Sequence, residues 1–235
     1  MIRLRDYQDK AIRDMRDALS SHDSILFRGP TGCGKTVIAS YMAQQSAARQ
    51  RKVIFGVHRI ELATQTAKTF DQFGIKYGFI AAGYGYNPFA HVQIASADTL
   101  RNRPELIKGC KLFVPDEAHL WASKTRSALI QAARDEGAKV VGLSATPQRL
   151  DGKPLSMFER IVEGPSEAWL IENGHLSEYR AYAPSRPDMT GLHTRAGDYV
   201  TEELEERFDK PAIHGDAIQS WRKYADGKRT MVFAI

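Results

Sequence analysis

Gly29-Pro30-Thr31-Gly32-Cys33-Gly34-Lys35-Thr36 fits G-x-x-x-x-G-K-[ST], the signature of a phosphate-binding loop. An apolar run, Ser24-Ile25-Leu26-Phe27, precedes it and predicts a short buried strand; Val37-Ile38-Ala39-Ser40-Tyr41-Met42-Ala43 follows and predicts a helix. Strand, loop and helix in that order are what the chemistry requires. Glycines let successive backbone N–H groups turn inward onto phosphate oxygens, and the helix adds the positive end of its dipole. Thr31, Gly32, Cys33 and Gly34 would form the cradle, Lys35 would reach the outer phosphates, and the Thr36 hydroxyl would hold a magnesium ion. An ordinary Gly-rich turn is the plain alternative, but this spacing arises by chance in about one chain in a hundred of this length.

The 235 residues suffice for one well-buried α/β domain and part of another. No apolar run approaches the roughly 20 residues that cross a bilayer, and Met1-Ile2-Arg3-Leu4-Arg5-Asp6 lacks the apolar core of a signal peptide. These features predict a cytoplasmic protein with no membrane partner. The two cysteines, Cys33 and Cys110, make no zinc pattern, and a bridge to Cys33 would distort the loop, so both are expected as reduced thiols. A net charge of +5 fits a polyanionic partner but is common in ordinary domains.

Outward from the loop, the pattern alternates strands and helices. Tyr7, Ala11, Ile12, Met15 and Leu19 recur at helical spacing over residues 2–19. At the start of that helix, Arg5 and Gln8 could read the edge of an adenine, since the Gln amide offers both a donor and an acceptor; taken alone, a solvated helix start is the plainer explanation. Strands are predicted over 52–57, 92–96, 111–115 and 139–143, with helices over 59–73 and 125–136. Arg49, Arg51 and Lys52 complement the negative end of the preceding helix. His58 and Arg59 fall where a strand gives way to a helix, at the edge where open α/β sheets bind ligands. Ser96, Thr99 and Arg101 fall at the same edge, where hydroxyls and helix N–H groups suit a phosphodiester backbone. Gly and Pro make residues 82–89 a loop, whose Tyr84, Tyr86 and Phe89 could stack on unpaired bases or pack on their own scaffold.

Lys111-Leu112-Phe113-Val114-Pro115 delivers Asp116-Glu117-Ala118-His119. Two adjacent carboxylates at a strand end are costly unless a cation neutralises them. A magnesium-nucleotide would supply one, with Asp116 on the metal and Glu117 activating the attacking water. The alternative is a capping pair that opens a helix containing Trp121. Pro115 removes a ladder donor and is tolerable only where the strand ends. Ser144-Ala145-Thr146 follows the last strand, and its hydroxyls could bond His119 and join the nucleotide site to the far side of the edge.

In order and spacing these residues resemble superfamily 2 helicases and translocases. Arg5 and Gln8 look like the adenine-reading Q-motif, residues 29–36 like motif I, 57–65 like motif Ia, 95–100 like motif Ib, 116–119 like the DEAH form of motif II, and 144–146 like motif III. Residues 146–152 and 170–176 resemble the branch with XPB-like and type III restriction-like DNA helicases, phage members included. The resemblance implies an α/β, RecA-like lobe over residues 1–184 with a mostly parallel sheet and helices on both faces. It implies ATP and magnesium as ligands, and nucleic acid, DNA rather than RNA, as the track. Catalysis would rest on Lys35, Asp116 and Glu117, coupling on His119, Ser144 and Thr146, and strand contacts on His58, Arg59, Ser96, Thr99 and Arg101. His58 and Asp98 depart from the commoner residues at their places.

Residues 185–210 read as a polar connector, and 211–235 as a helix and first strand of a second RecA-like lobe. Two lobes need on the order of 400 residues, so the expectation is a monomeric fragment that binds ATP and turns it over slowly. It would lack the arginine fingers that contribute on the order of a thousand-fold or more. Two rivals stand beside this: a nucleotide-dependent switch module that docks a partner without turnover, and a P-loop NTPase that never touches nucleic acid.

Overall fold

The computed structural model describes residues 3–149, 152–182, 190–195, 198–208 and 211–232. The chain divides into two compact units, Met1–Ser177 and Glu178–Ile235. In the first, a helix α1 (Asp6–Ser21) opens the unit, with Tyr7, Ala11, Ile12, Met15 and Ala18 buried on one stripe. It starts at Asp6, later than the apolar spacing alone predicts, because the Arg5 amide is capped by the Gln8 side chain.

Alternation then runs β1 (Ser24–Arg28), α2 (Lys35–Ala47), β2 (Lys52–Val57), α3 (Ile60–Gln72), β3 (Tyr77–Ile80), β4 (Val92–Ser96), α4 (Ala97–Asn102), β5 (Cys110–Pro115), α5 (Lys124–Asp135), β6 (Lys139–Ser144), β7 (Arg160–Glu163) and α6 (Glu167–Glu172). The seven strands form one sheet in the order β3-β4-β2-β5-β6-β1-β7, and every pairing is parallel. Central strands read as continuous apolar runs because both faces are covered. Phe27, Phe55 and Ile94 face one core, and Ile54, Phe113 and Val140 face the other. Full burial of each such side chain stabilises the fold by about 1.5–3 kcal/mol.

The edge strands β3 and β7 carry no signal that the sequence reading used; each is only four residues long. Pro115 stands opposite Gly56 at the last rung of β5, and the ladder continues through the Asp116 amide, which donates to the Gly56 carbonyl at 2.8 Å. The helix expected around Trp121 is a single 3-10 turn over Ala118–Trp121. All seven strands point their C-terminal ends to one edge, so the segments after β1, β2, β4, β5 and β6 gather there.

The second unit holds a two-stranded antiparallel ribbon, β8 (Thr194–Arg195) with β9 (Asp198–Tyr199), and two helices, α7 (Thr201–Phe208) and α8 (Pro211–Ala225). Tyr182 stacks on Tyr224 with ring centres 3.9 Å apart. Thr230, Met231 and Val232 lie outside any strand, and residues 233–235 of the expected strand fall outside the described residues. Among the described residues no helix is long and apolar enough to cross a membrane.

Candidate functional site

The loop between β1 and α2 is held from below. Its first amide, Gly29, donates to the Ser144 carbonyl at 3.0 Å, tying it to the end of β6. Cys33 is fully buried, and its Sγ lies 2.7 Å from where a Cβ on Gly29 would stand. Burial pushes the Cys33 thiol up, so it packs as a neutral group. The Cys33 carbonyl accepts from the Tyr7 hydroxyl at 3.0 Å and from Gln8 Nε2 at 3.3 Å, so α1 grips the loop by its backbone. Gly32 and Gly34 have φ of +83° and +84°, a region that costs a residue with a side chain about 1–2 kcal/mol.

This geometry leaves the start of α2 open. Gly34 is its N-cap, no side chain caps the first turn, and Lys35 Nζ donates to the Gly29 and Pro30 carbonyls at 3.0 and 3.4 Å. Uncapped N–H groups beside a lysine form an anion site in the making.

Across the sheet edge, β5 delivers the acidic pair. Glu117 adopts a left-handed backbone (φ 47°, ψ 58°), one of two positive-φ non-glycine residues among those described. Three bonds hold it there: its amide donates to Asp116 Oδ1 at 3.0 Å, Leu120 N donates to its carbonyl at 2.8 Å, and Trp121 Nε1 donates to the Asp116 carbonyl at 2.9 Å. A strained residue fixed by its surroundings is a mark of functional sites. Desolvation, with the Glu117 charge adding to it, pushes Asp116 up to about 6. A carboxyl in that condition suits a bound cation.

The loop and the acidic pair share one cleft of about 360 Å³, lined by Thr31, Gly32, Gly34, Lys35 and Thr36 on one side and Asp116 and Glu117 on the other. Its third wall is α3, through Leu62, Gln65, Thr66 and Thr69. The sequence pattern does not place those α3 residues in this cleft; 57–65 reads from sequence as a nucleic-acid segment. Among the described residues no cluster of three or more His, Cys, Asp or Glu could hold a metal by itself. One carboxylate and one hydroxyl are instead the donor set of a magnesium ion that takes its other ligands from phosphate and water.

His119 Nδ1 lies 3.0 Å from Ser144 Oγ and 3.5 Å from Glu117 Oε2. Ser144 gives its one proton to the Thr146 carbonyl at 2.6 Å and accepts from the Thr146 amide at 3.1 Å. His119 must therefore carry its proton on Nδ1 to bond the serine. Thr146 joins this chain by its backbone rather than its hydroxyl.

The remaining sequence candidates are placed differently. Gln8 is buried, with its oxygen on the Arg5 amide and its nitrogen on the loop, while Arg5 is exposed. Ser96 is buried and caps α4: its Oγ accepts from Thr99 N at 3.3 Å and donates to Thr99 Oγ1 at 2.9 Å. Arg59 and Arg101 are exposed at the sheet edge. His58 turns inward; its Nδ1 is buried without a partner, and burial, with Arg59 nearby, holds the imidazole below its usual range. In the 82–89 loop, Tyr84 stacks on Phe79 at 4.2 Å and bonds Thr64, while Arg103 lies over the Tyr86 ring. Phe89 is exposed but stands three residues before β4, so it belongs to the edge opposite the cleft.

Comparison with known proteins gives a consistent picture. The family model described as "Type III restriction enzyme, res subunit" matches residues 1–149. A 51.5 kDa protein of Lactococcus phage (isolate 7-9) is 26% identical over 210 residues, covering 89% of this chain and 43% of that protein. This chain thus spans less than half the length of that relative. Among solved structures, the UvsW helicase of bacteriophage T4 aligns with a TM-score of 0.59 at 23% identity, over 69% of this chain and 60% of that one. A nuclease-deletion mutant of the type ISP restriction-modification enzyme LlaGI, solved with a DNA substrate mimic, aligns at 0.59 and 16% over 74% and 21%. The Hef helicase domain of Pyrococcus furiosus aligns at 0.56 and 23% over 68% and 37%. These likenesses identify the α/β fold as that of RecA-like helicase lobes.

Proposed function

The chain belongs to the type III restriction enzyme res-subunit family, and from that premise we propose that residues 1–184 are the ATP-binding lobe of a DNA helicase or translocase. The observation that carries the reading is the single cleft holding both the open start of α2 and the Asp116–Glu117 pair. The loop N–H groups and Lys35 bind the phosphates, Thr36 and Asp116 hold a magnesium ion, and Glu117 takes the proton of the attacking water. Magnesium, when bound, neutralises charge on the phosphates. His119 passes the state of that end to Ser144 and so to the loop, since Ser144 also accepts the Gly29 amide through its carbonyl. Gln8 fixes the loop through Cys33, and Arg5, the exposed neighbour, is the group left to meet a base.

Arg59 and Arg101 take the nucleic-acid backbone; Ser96 and Thr99 support the turn that presents Arg101 rather than touching the strand. In this reading residues 185–210 connect the lobe to the segment from 211 onward, and movement along DNA is work that takes two such lobes. Calorimetric titration tests the reading. The chain is expected to bind a non-hydrolysable ATP analogue with magnesium, and to bind single-stranded DNA with an affinity that falls as salt rises. Arg59→Ala should weaken the DNA arm alone. Absence of nucleotide binding would sink the proposal, and DNA binding that ignores salt and Arg59 would sink its nucleic-acid half.

A further inference from the structure

Arg126 is a polar side chain at the functional edge that no motif accounts for. It lies in the first turn of α5, which packs beside α4, and it is 27% exposed. One arm, Nη1, donates to the Leu120 carbonyl at 3.1 Å. The other, Nη2, stands 3.8 Å from Asp98 Oδ1 in the first turn of α4. Leu120 in turn donates its amide to the Glu117 carbonyl at 2.8 Å. A contiguous run of polar contacts thus leads from Asp98, at the candidate strand-binding edge, to Glu117 with its left-handed backbone.

Resting on the nucleotide reading above, we propose that Arg126 is a positioning residue that makes nucleotide binding and nucleic-acid binding sense each other. A left-handed glutamate persists only while its neighbours over-determine it. Arg126 supplies one of those constraints from outside the acidic segment, and it does so with a planar fork that can serve two partners at once. A strand held by Arg101 shifts α4 and, with it, the Asp98 arm. The Leu120 arm then moves the 3-10 turn, and with it Glu117. His58, whose buried Nδ1 has no partner, lies within electrostatic reach of Glu117, His119, Arg59 and Arg126.

A path of contacts is not itself evidence of coupling, so the test measures coupling directly. Calorimetry gives the Kd of the magnesium-bound non-hydrolysable ATP analogue with and without saturating oligothymidylate, for wild type, Arg126→Gln, Asp98→Asn and the double variant. The ratio of the two Kd values is expected to be about 5-fold or more in wild type and to fall below about 2-fold in each variant. Each ligand measured alone should hold its affinity within about 2-fold, and the double variant should add nothing to either single one. A variant ratio equal to wild type overturns the proposal, as does a wild type that binds both ligands independently. Loss of nucleotide binding by wild type would instead remove the reading beneath it. Should Arg126→Gln fail to fold, Asp98→Asn at an exposed carboxylate puts the same question.

Discussion

Two helices start at the same edge of the sheet and meet it in opposite ways. The first turn of α2 follows two left-handed glycines, with no side-chain cap and a lysine at its first position. The first turn of α4 is closed by Ser96, whose hydroxyl serves Thr99 twice. An α-helix leaves four backbone donors unmet at its N-terminus, and a capping side chain is the ordinary remedy. Where the remedy is missing beside a cleft, the donors await a ligand. Where it is present, the helix end serves to stiffen a turn, and the groups that meet a partner lie elsewhere.

The largest expected effect probes what faces the open end. Asp116 is pushed up to about 6 from an ordinary 3.8, so the folded chain holds its proton where the unfolded chain has already lost it. Stability should therefore fall as pH rises from about 4 to about 6, by about 2–3 kcal/mol. Urea denaturation across that range measures it. Asp116→Asn should flatten the slope and raise stability above pH 6; an unchanged slope would mean that another group sets it.

Next is the charge at the open end itself. Lys35→Ala removes charge-assisted hydrogen bonds worth about 2 kcal/mol, a loss of roughly 30-fold in nucleotide affinity by calorimetry. A smaller probe tests the curvature. Gly34→Ala meets both a φ of +84° and Gln8 Nε2 only 2.5 Å from the new Cβ, and should cost about 1–2 kcal/mol of stability. The smallest effect is at the closed end. Ser96→Ala should cost about 1 kcal/mol, seen as a melting temperature lower by about 2–4 °C, with nucleotide affinity unchanged. If it weakened DNA binding more than it weakened folding, the distinction between the two ends would fail.

The same contrast explains what the sequence could reveal. The loop around Lys35 and the pair at 116 and 117 are legible because their chemistry is local: spacing alone nearly dictates where the backbone donors and the carboxylates go. The seven-strand parallel sheet was legible for the same reason in its apolar central strands, and not in β3 and β7, where four edge residues carry too little pattern. Ser96 and Thr99 are ambiguous in sequence because a helix cap and a phosphate contact use the same residue types; the coordinates show their hydroxyls turned on each other. His58 is ambiguous for a different reason, since position next to Arg59 says nothing about which way an imidazole turns. Arg126 and the α3 wall of the cleft had no local signature, as their places depend on how α5 and α3 pack.

Trp121 has a consequence of its own. Its indole is completely buried, sits edge-on to Phe113, and fills the space over Gly56, where a Cβ would lie 2.6 Å away. Its nitrogen holds the carbonyl of Asp116. The other two tryptophans, Trp169 and Trp221, are 39% and 40% exposed, so a soluble quencher reaches them first and leaves the blue-shifted emission to Trp121 alone. The chain thus carries an optical gauge wired to its acidic segment, and a rearrangement there would be readable as a change of colour without any dye.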